Sequence, residues 1–379
     1  MAERIVIAVD SFKGTIGAAD AARCLREGWL EARPSDDVVL RPMADGGEGT
    51  VDAFAAAVPG ASRRAVTVHG PEGTPVAASW LLLPPTAETP AGTAVVELAN
   101  TSGIELLETL PGGGPRRRPF DAGTRGFGEA IADALAHGIT RLVLGIGSSA
   151  STDGGAGMLS ALGARFTDAG GRAIVDGARG LAEIAAVDLS GLPALPAGGV
   201  TVLTDVTNPL QGARGAAAVF GPQKGAGPAD VSAMDAALGR FAALVGRADP
   251  VAPGAGAAGG TGYGLLVWGA TLVPGSAAVA DLIGLRAAVA EASVVITGEG
   301  SFDIQSASGK VPSHVAALAA QAGVPVRLVA GRIAPDAPTS AFSAAISLTD
   351  LAGSAEASMS ETAHWLRVAG ARLAAEFSR

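Results

Sequence analysis

Of the 27 lysine and arginine residues in this 379-residue chain, three are lysines: Lys13, Lys224 and Lys310. Each has a glycine as a chain neighbour. A chain that uses arginine for its other cations, yet keeps compact ammonium groups beside flexible backbone, has the means to grip phosphate by point charge and N–H donors. The plain alternative is a solvated loop lysine, and loops are also where functional residues concentrate. Carboxylates crowd similar loops: Asp10, Asp45, Glu48, Asp153, Asp205, Glu299 and Asp303. Helix or turn capping accounts for one such residue more readily than for all of them. Hard oxygen donors of this kind suit Mg²⁺, which takes one or two carboxylates together with phosphate oxygens. Scarce lysines, carboxylates and glycines together point to phosphoryl transfer, which needs held phosphates, a metal, cationic stabilisation and an acid-base group near the acceptor hydroxyl.

Other chemistries fit less well. A Walker A loop fails in spacing and in its final hydroxyl, because Gly309-Lys310 is followed by Val311. The segment Gly145-Ile-Gly-Ser-Ser-Ala150 matches the loose dinucleotide fingerprint, with Asp168 near the spacing of a ribose-binding acid. A nicotinamide-dependent oxidoreductase is therefore an alternative, and a non-catalytic small-anion binder is another. Ser148, Ser149 and Ser151 lack a Gly-x-Ser-x-Gly frame. His69, His137, His314 and His364 are scattered and Cys24 is the lone cysteine, so a His/Cys metal site is not expected. His314, one helical turn after Lys310, reads as a satisfied or solvent-facing side chain.

A net charge of −9 without a basic run longer than Arg116-Arg-Arg118 argues against nucleic acid. The single cysteine suits a reducing compartment, and the start of the chain lacks the apolar length of a signal peptide, so cytoplasmic is the expected location. Residues 251–280 carry no charge, but eight glycines and two prolines interrupt them; they read as loop plus buried segment, with no membrane association.

The elements that must position these residues follow an α/β pattern. Five β-branched runs, at 4–9, 37–41, 293–297, 326–330 and 344–348, read as parallel strands of one doubly wound sheet. Asp45, Gly46 and Gly47 fall between the second strand and a helix expected over 48–57. An apolar stripe at Ala18, Ala22, Leu25 and Trp29 predicts the first helix, and one at Met359, Ala363, Leu366, Gly370, Leu373 and Phe377 predicts the last. The long stretch between the second and third strands predicts an inserted domain, left near residue 63 and returned from near 286. The expected domains are thus 1–63 with 286–379, and 64–285. Within the insert, strands are expected at 94–98, 141–146 and 200–203, and helices at 126–137 and 155–165. Ligands of doubly wound sheets bind outside the carboxyl ends of the strands, which gathers the loops at 10–15, 44–48 and 298–303 on one rim.

Several blocks in fixed order resemble the bacterial glycerate kinase family of the glycerate 2-kinase type. They are Asp10-Ser-Phe-Lys-Gly14, Pro42-Met-Ala-Asp-Gly-Gly-Glu-Gly-Thr50, Glu97-Leu-Ala-Asn-Thr-Ser-Gly103, residues 147–155, Thr204-Asp-Val-Thr-Asn-Pro-Leu210, Phe220-Gly-Pro-Gln-Lys-Gly225 and Gly298-Glu-Gly-Ser-Phe-Asp303. The resemblance implies a flavodoxin-like domain interrupted by a second α/β domain, with ATP-dependent, Mg²⁺-assisted phosphorylation of D-glycerate to 2-phosphoglycerate in the cleft between them. A glycerate 3-kinase is the alternative within the class. One departure stands out: the family pattern usually carries a basic residue after Gly-Glu-Gly, where this chain has Ser301-Phe302. Gln305, Ser306, Gly309 and Lys310 fit the part that follows.

On this reading ATP lies against Asp10, Ser11, Lys13, Gly46, Gly47, Gly298, Glu299 and Lys310. The metal is held by Asp45, Glu299 and Asp303. Lys13, Asp45, Asp205 and Asp153 are the expected catalytic residues, Asp205 ahead of Asp153 for orienting the acceptor hydroxyl. Asn100, Thr101, Ser102, Asn208 and Lys224 are the expected substrate contacts. Glycerate and ATP are the expected partners, without nucleic acid or membrane, and a homodimer is compatible with the reading.

Overall fold

The structure, a computed structural model, describes residues 2–304, 306 and 310–377. Gln305 and Gly309 lie outside the described residues. The chain divides into two compact units, one of Met1–Asp45, Asp52–Pro59 and Ser276–Arg379, the other of Gly46–Val51 and Gly60–Gly275. The chain thus leaves the first unit at residue 60, having already lent 46–51 to the second, and returns at 276, ten residues before the expected crossing near 286.

The first unit is built on a five-stranded sheet in the order Ala344–Ser347, Val326–Ile333, Val294–Phe302, Arg4–Val9, Asp37–Leu40. All neighbours run parallel. Counted within this unit, the strand order is 2-1-3-4-5, the flavodoxin-like arrangement, whose ligand crevice lies where the order reverses, between strands Arg4–Val9 and Val294–Phe302. Each of the five runs seen in the sequence is a strand, because β-branched side chains fill both faces: Ile5, Ile7, Val294 and Ile296 on one face and Val6 and Val295 on the other are fully buried.

The third strand extends further than expected. Residues 298–302, read as loop, continue as strand because Gly298, Glu299, Ser301 and Phe302 pair with Val329, Ala330, Arg332 and Ile333. Phe302 then packs edge-on against Phe342.

The helix Ala18–Ala32 buries Ala18, Ala22, Leu25 and Trp29, as its stripe predicts, and packs on Thr362–Ala375. The last stripe does not form one helix. Glu361 leaves the helical region (φ −129°, ψ 38°) and separates Ala355–Ser360 from Thr362–Ala375, so Leu366, Gly370 and Leu373 are buried while Met359 is 60% exposed. Where the two long helices cross, a Cβ on Gly28 would lie 1.9 Å from the Arg367 carbonyl oxygen, and one on Gly370 2.3 Å from that of Leu25.

The second unit has a six-stranded sheet in the order Thr271–Val273, Val200–Leu203, Arg141–Gly145, Thr93–Glu97, Pro75–Leu83, Ser62–His69. Its first four strands are parallel, and the last two form an antiparallel hairpin around Gly70 and Gly73 that alternation and turn residues in the sequence could have disclosed. The helix expected at 126–137 is Arg125–Ala136. The one expected at 155–165 stops at Ala161: Gly163 (φ 109°) turns the chain, and Arg165–Thr167 becomes a strand paired with Ala186–Asp188. The uncharged stretch holds a short helix, Thr261–Trp268, a strand and the helix Gly275–Leu282. Among the described residues no helix is long and apolar enough to cross a membrane.

Asp153 and Lys224 are buried inside the second unit. Asp153, fully buried, accepts hydrogen bonds from Thr124 N (3.0 Å), Thr124 Oγ1 (2.8 Å), Gly155 N (3.1 Å) and Gly157 N (3.3 Å). Lys224, 3% exposed, donates from Nζ to Ser149 Oγ (2.7 Å) and to the Ser151 carbonyl (2.5 Å). Together they fix the loop 148–155 at the end of strand Arg141–Gly145. Burial lowers the Lys224 pKa to about 7, with Asp153 opposing that shift. Burial pushes Asp153 upward, against the hydrogen bonds that pull it down.

Two tests follow from this packing. Gly to Ala inside a helix ordinarily gains about 1 kcal/mol, but overpacking costs about 1–3 kcal/mol, and a contact at 1.9 Å with backbone has no flexible side chain to yield. Gly28→Ala is therefore expected to lower the urea midpoint; a raised midpoint would contradict the crossing. Because the folded Lys224 binds fewer protons than the unfolded chain between about pH 7 and its ordinary 10.5, its contribution to stability rises with pH across that window and is lost as pH falls through 7. Thermal melts should show this rise in the parent chain and its absence in Lys224→Met.

Candidate active site

At the carboxyl rim of the first sheet lies a pocket of about 490 Å³, within the size range of small-molecule sites. The switch point places its charged end. Asp10 follows the first strand, its backbone N bonded to the Gly298 carbonyl (2.8 Å), and Glu299 stands on the neighbouring third strand. Ser11 N donates to Asp10 Oδ1 (2.6 Å). A tight turn, in which Thr15 Oγ1 donates to the Phe12 carbonyl (2.7 Å), carries Lys13 over the rim. Lys13 Nζ lies 3.9 Å from Asp45 Oδ2, a loose and exposed pair of little energetic weight. Lys310, exposed at the start of the helix Val311–Ala322, completes this end.

The site is short of positive charge where it is buried. Burial first, and then the Asp45 carboxylate, push the Asp10 pKa up to about 7, against the pull of the Ser11 N–H and Lys13. Burial likewise raises Glu299, opposed by Ser306 and Lys310. Among the described residues, Glu299 Oε1 is buried without a hydrogen-bond partner. Among the described residues no group of three or more His, Cys, Asp or Glu forms a ready metal cage. An unsatisfied carboxylate oxygen beside crowded acids nevertheless fits Mg²⁺, whose remaining ligands are phosphate and water.

The structure thus brings Asp10, Ser11, Lys13, Asp45, Glu299 and Lys310 around one pocket. Two other predicted residues serve the frame beside it. Gly298 lies in the sheet, where a Cβ would be 1.9 Å from the Val329 carbonyl oxygen. Asp303 closes a turn by accepting from Ser306 N (2.9 Å) and Ser306 Oγ (3.2 Å).

In the second unit, Gly46 (φ 93°) is confined by Leu203, whose carbonyl oxygen lies 2.3 Å from where its Cβ would be. Its own carbonyl accepts from Gly147 N (2.9 Å), and a Cβ on Gly147 would lie 2.5 Å from the Gly47 Cα. Buried Glu97 holds the next turn, accepting from Gly49 N (3.3 Å) and Val51 N (2.9 Å). These contacts correct the dinucleotide reading of 145–150. Its glycines admit the backbone of 46–47, the following helix starts only at Ala156, and Asp168 is tied to Arg172 at the edge of the small two-stranded sheet.

Thr101 and Ser102 are fully buried, with Thr101 Oγ1 on the Leu98 carbonyl (3.1 Å) and Ser102 Oγ accepting from Phe127 N (3.2 Å). Asp153 and Lys224 are likewise buried and hydrogen-bonded within their loops. Asn100 donates to the Ser79 carbonyl (3.0 Å), and its buried Oδ1 has no partner among the described residues. Asp205 is exposed and accepts from Gly275 N (2.8 Å); Asn208 donates to the Arg214 carbonyl (2.8 Å).

Sequence reasoning missed Glu97 as a loop anchor, although an acid ending an apolar run is a visible signal. It also missed Arg332, which lines the pocket and whose Nη2 lies 3.5 Å from Ser301 Oγ across the strand pair. Nothing local marks that residue, since strand register alone sets it beside 301.

The model of the glycerate kinase family matches residues 5–378. Glycerate 2-kinase of Escherichia coli K12 is 42% identical over 339 residues, 88% of this chain and 86% of that protein. Glycerate kinase of Halalkalibacterium halodurans is 41% identical over 87% of this chain and 85% of its own length. A crystal structure from Salmonella typhimurium LT2 assigned to glycerate kinase 2 superposes with a TM-score of 0.83 at 39% identity, covering 99% of this chain and 98% of that one. A flavodoxin-like sheet with lysines and acids at its switch point, and these relatives along nearly the whole length, lead to one conclusion: the chain belongs to the glycerate kinase family and is a kinase.

Proposed function

We propose that the chain transfers the γ-phosphoryl group of ATP to D-glycerate, giving 2-phosphoglycerate with Mg²⁺ assistance. The observation that carries this reading is the convergence of Asp10, Lys13, Asp45, Glu299 and Lys310 on one pocket at the switch point. The printed name of the E. coli relative supports the 2-position.

Lys13 and Lys310 hold phosphate oxygens, and Gly47, half-buried and bare, allows phosphate to approach the backbone beside Asp45. Asp45 and Glu299 hold the metal directly or through water. When bound, Mg²⁺ offsets the charge of the carboxylates and the phosphate oxygens together. Asp205, exposed on the loop after strand Val200–Leu203, orients the acceptor hydroxyl and takes its proton. Asn100 and Asn208 receive the glycerate carboxylate, while Thr101, Ser102, Asp153 and Lys224 hold the supporting loops. ATP use and a single buried thiol, Cys24, suit the cytoplasm.

Alanine at Lys13, Asp45 or Asp205 is expected to lower turnover at least about a hundredfold, the scale of losing one transition-state contact, with unchanged circular dichroism. Near-normal rates in all three would reject the assignment. The regiochemistry is read by feeding the product of ATP and D-glycerate to enolase. Phosphoenolpyruvate without added mutase marks the 2-phosphate, and a signal that needs mutase marks the 3-phosphate instead.

A further inference from the structure

The charged end accounts for half of the pocket. Its floor continues across the sheet over two glycines on adjacent strands, Gly300 and Gly331, where side chains have no room: a Cβ on Gly331 would lie 2.4 Å from the Gly300 carbonyl oxygen, and one on Gly300 3.3 Å from Lys13 N. Beyond Gly331 the lining changes character. It is made by Leu348 and Thr349, which follow the outermost strand, and by Ala355, Ser358, Met359 and Thr362. Thr349 Oγ1 donates to the Gly331 carbonyl (2.8 Å) and Thr362 Oγ1 to the Ser358 carbonyl (2.8 Å), so both hydroxyls are engaged and their methyl groups can face a ligand. Among the described lining residues this end holds no ionisable side chain. Met359 is 60% exposed there, a large apolar group that the break at Glu361 takes off the buried stripe of the last helix.

Resting on the nucleotide reading of the charged end, we infer that this apolar end is the subsite for the purine base of the nucleoside triphosphate, with Met359 against the ring face and Leu348 beneath it. Three things favour this occupant. The subsite is continuous with the phosphate-holding end through a bare glycine floor. From the first strand to the outermost fifth strand is three strand spacings, roughly 14 Å, enough for a phosphate chain, a sugar and a ring laid across the sheet. A thioether is also well suited to the face of an aromatic ring. Arg332, on the strand between the two ends, falls where the sugar and inner phosphates would pass.

The test measures calorimetric binding of ATP and of inorganic tripolyphosphate, each with Mg²⁺, to the whole chain and to four variants. Met359→Asp and Ala355→Trp alter the apolar end at exposed positions; Lys13→Ala and Lys310→Ala alter the charged end. The expected result is that Met359→Asp and Ala355→Trp weaken ATP about tenfold or more, equivalent to about 1.4 kcal/mol, and leave tripolyphosphate unchanged. The lysine variants should weaken both ligands. Unchanged ATP affinity in Met359→Asp and Ala355→Trp, with both ligands still dependent on the lysines, would place the base elsewhere and leave the phosphate assignment standing. Equal weakening of both ligands by the apolar-end variants would also overturn the base subsite. Independence of both ligands from Lys13 and Lys310 would overturn the base subsite and the nucleotide reading together.

Discussion

Negative charge gathered at the rim of a parallel sheet is the constraint on which the first unit depends. Asp10 follows one strand and Glu299 stands on its neighbour at the point where strand order reverses, and Asp45 reaches the same pocket from the next loop. Burial raises the pKa of both Asp10 and Glu299, and the Asp45 charge raises Asp10 further. A folded protein tolerates such a cluster when something cationic completes it. Lys13 and Lys310 are the lysines at hand, and on the proposed function a divalent ion with phosphate is the rest of the complement.

The second unit solves a different problem with similar residues. Its charged pair, Asp153 and Lys224, is buried and fully engaged, and its energy goes into the shape of the loop 148–155. Glu97 does the same for the turn after Gly46 and Gly47. A carboxylate beside a glycine-rich segment thus means two things in one chain: part of a pocket wall in one place, and a loop anchor where backbone N–H groups surround it. Burial and hydrogen-bond partners separate the two, and neither is written in residue type.

The glycines divide in the same way. Gly28 and Gly370 let two helices touch, Gly145 and Gly147 let a neighbouring loop lie close, and Gly300 and Gly331 keep a pocket floor bare. All three kinds answer to close approach of backbone, and the third also lines the pocket. The dinucleotide reading of 145–150 failed at this point, since a fingerprint of glycines records close approach without recording what approaches.

The sequence by itself determined the five parallel strands, the first helix, the presence of an inserted domain and, through blocks spread along the chain, the family. These follow from periodicity and local composition, which act over a few residues, and from motifs long enough to be specific. Tertiary structure alone decided that Asp153, Thr101 and Ser102 are buried, that Gly298–Phe302 is strand, that Met359 leaves its helix stripe, and that Arg332 stands beside Ser301. Each depends on a partner tens of residues away or on a break at a single backbone position. Burial and strand register are properties of the whole chain's packing, and no window of sequence contains them.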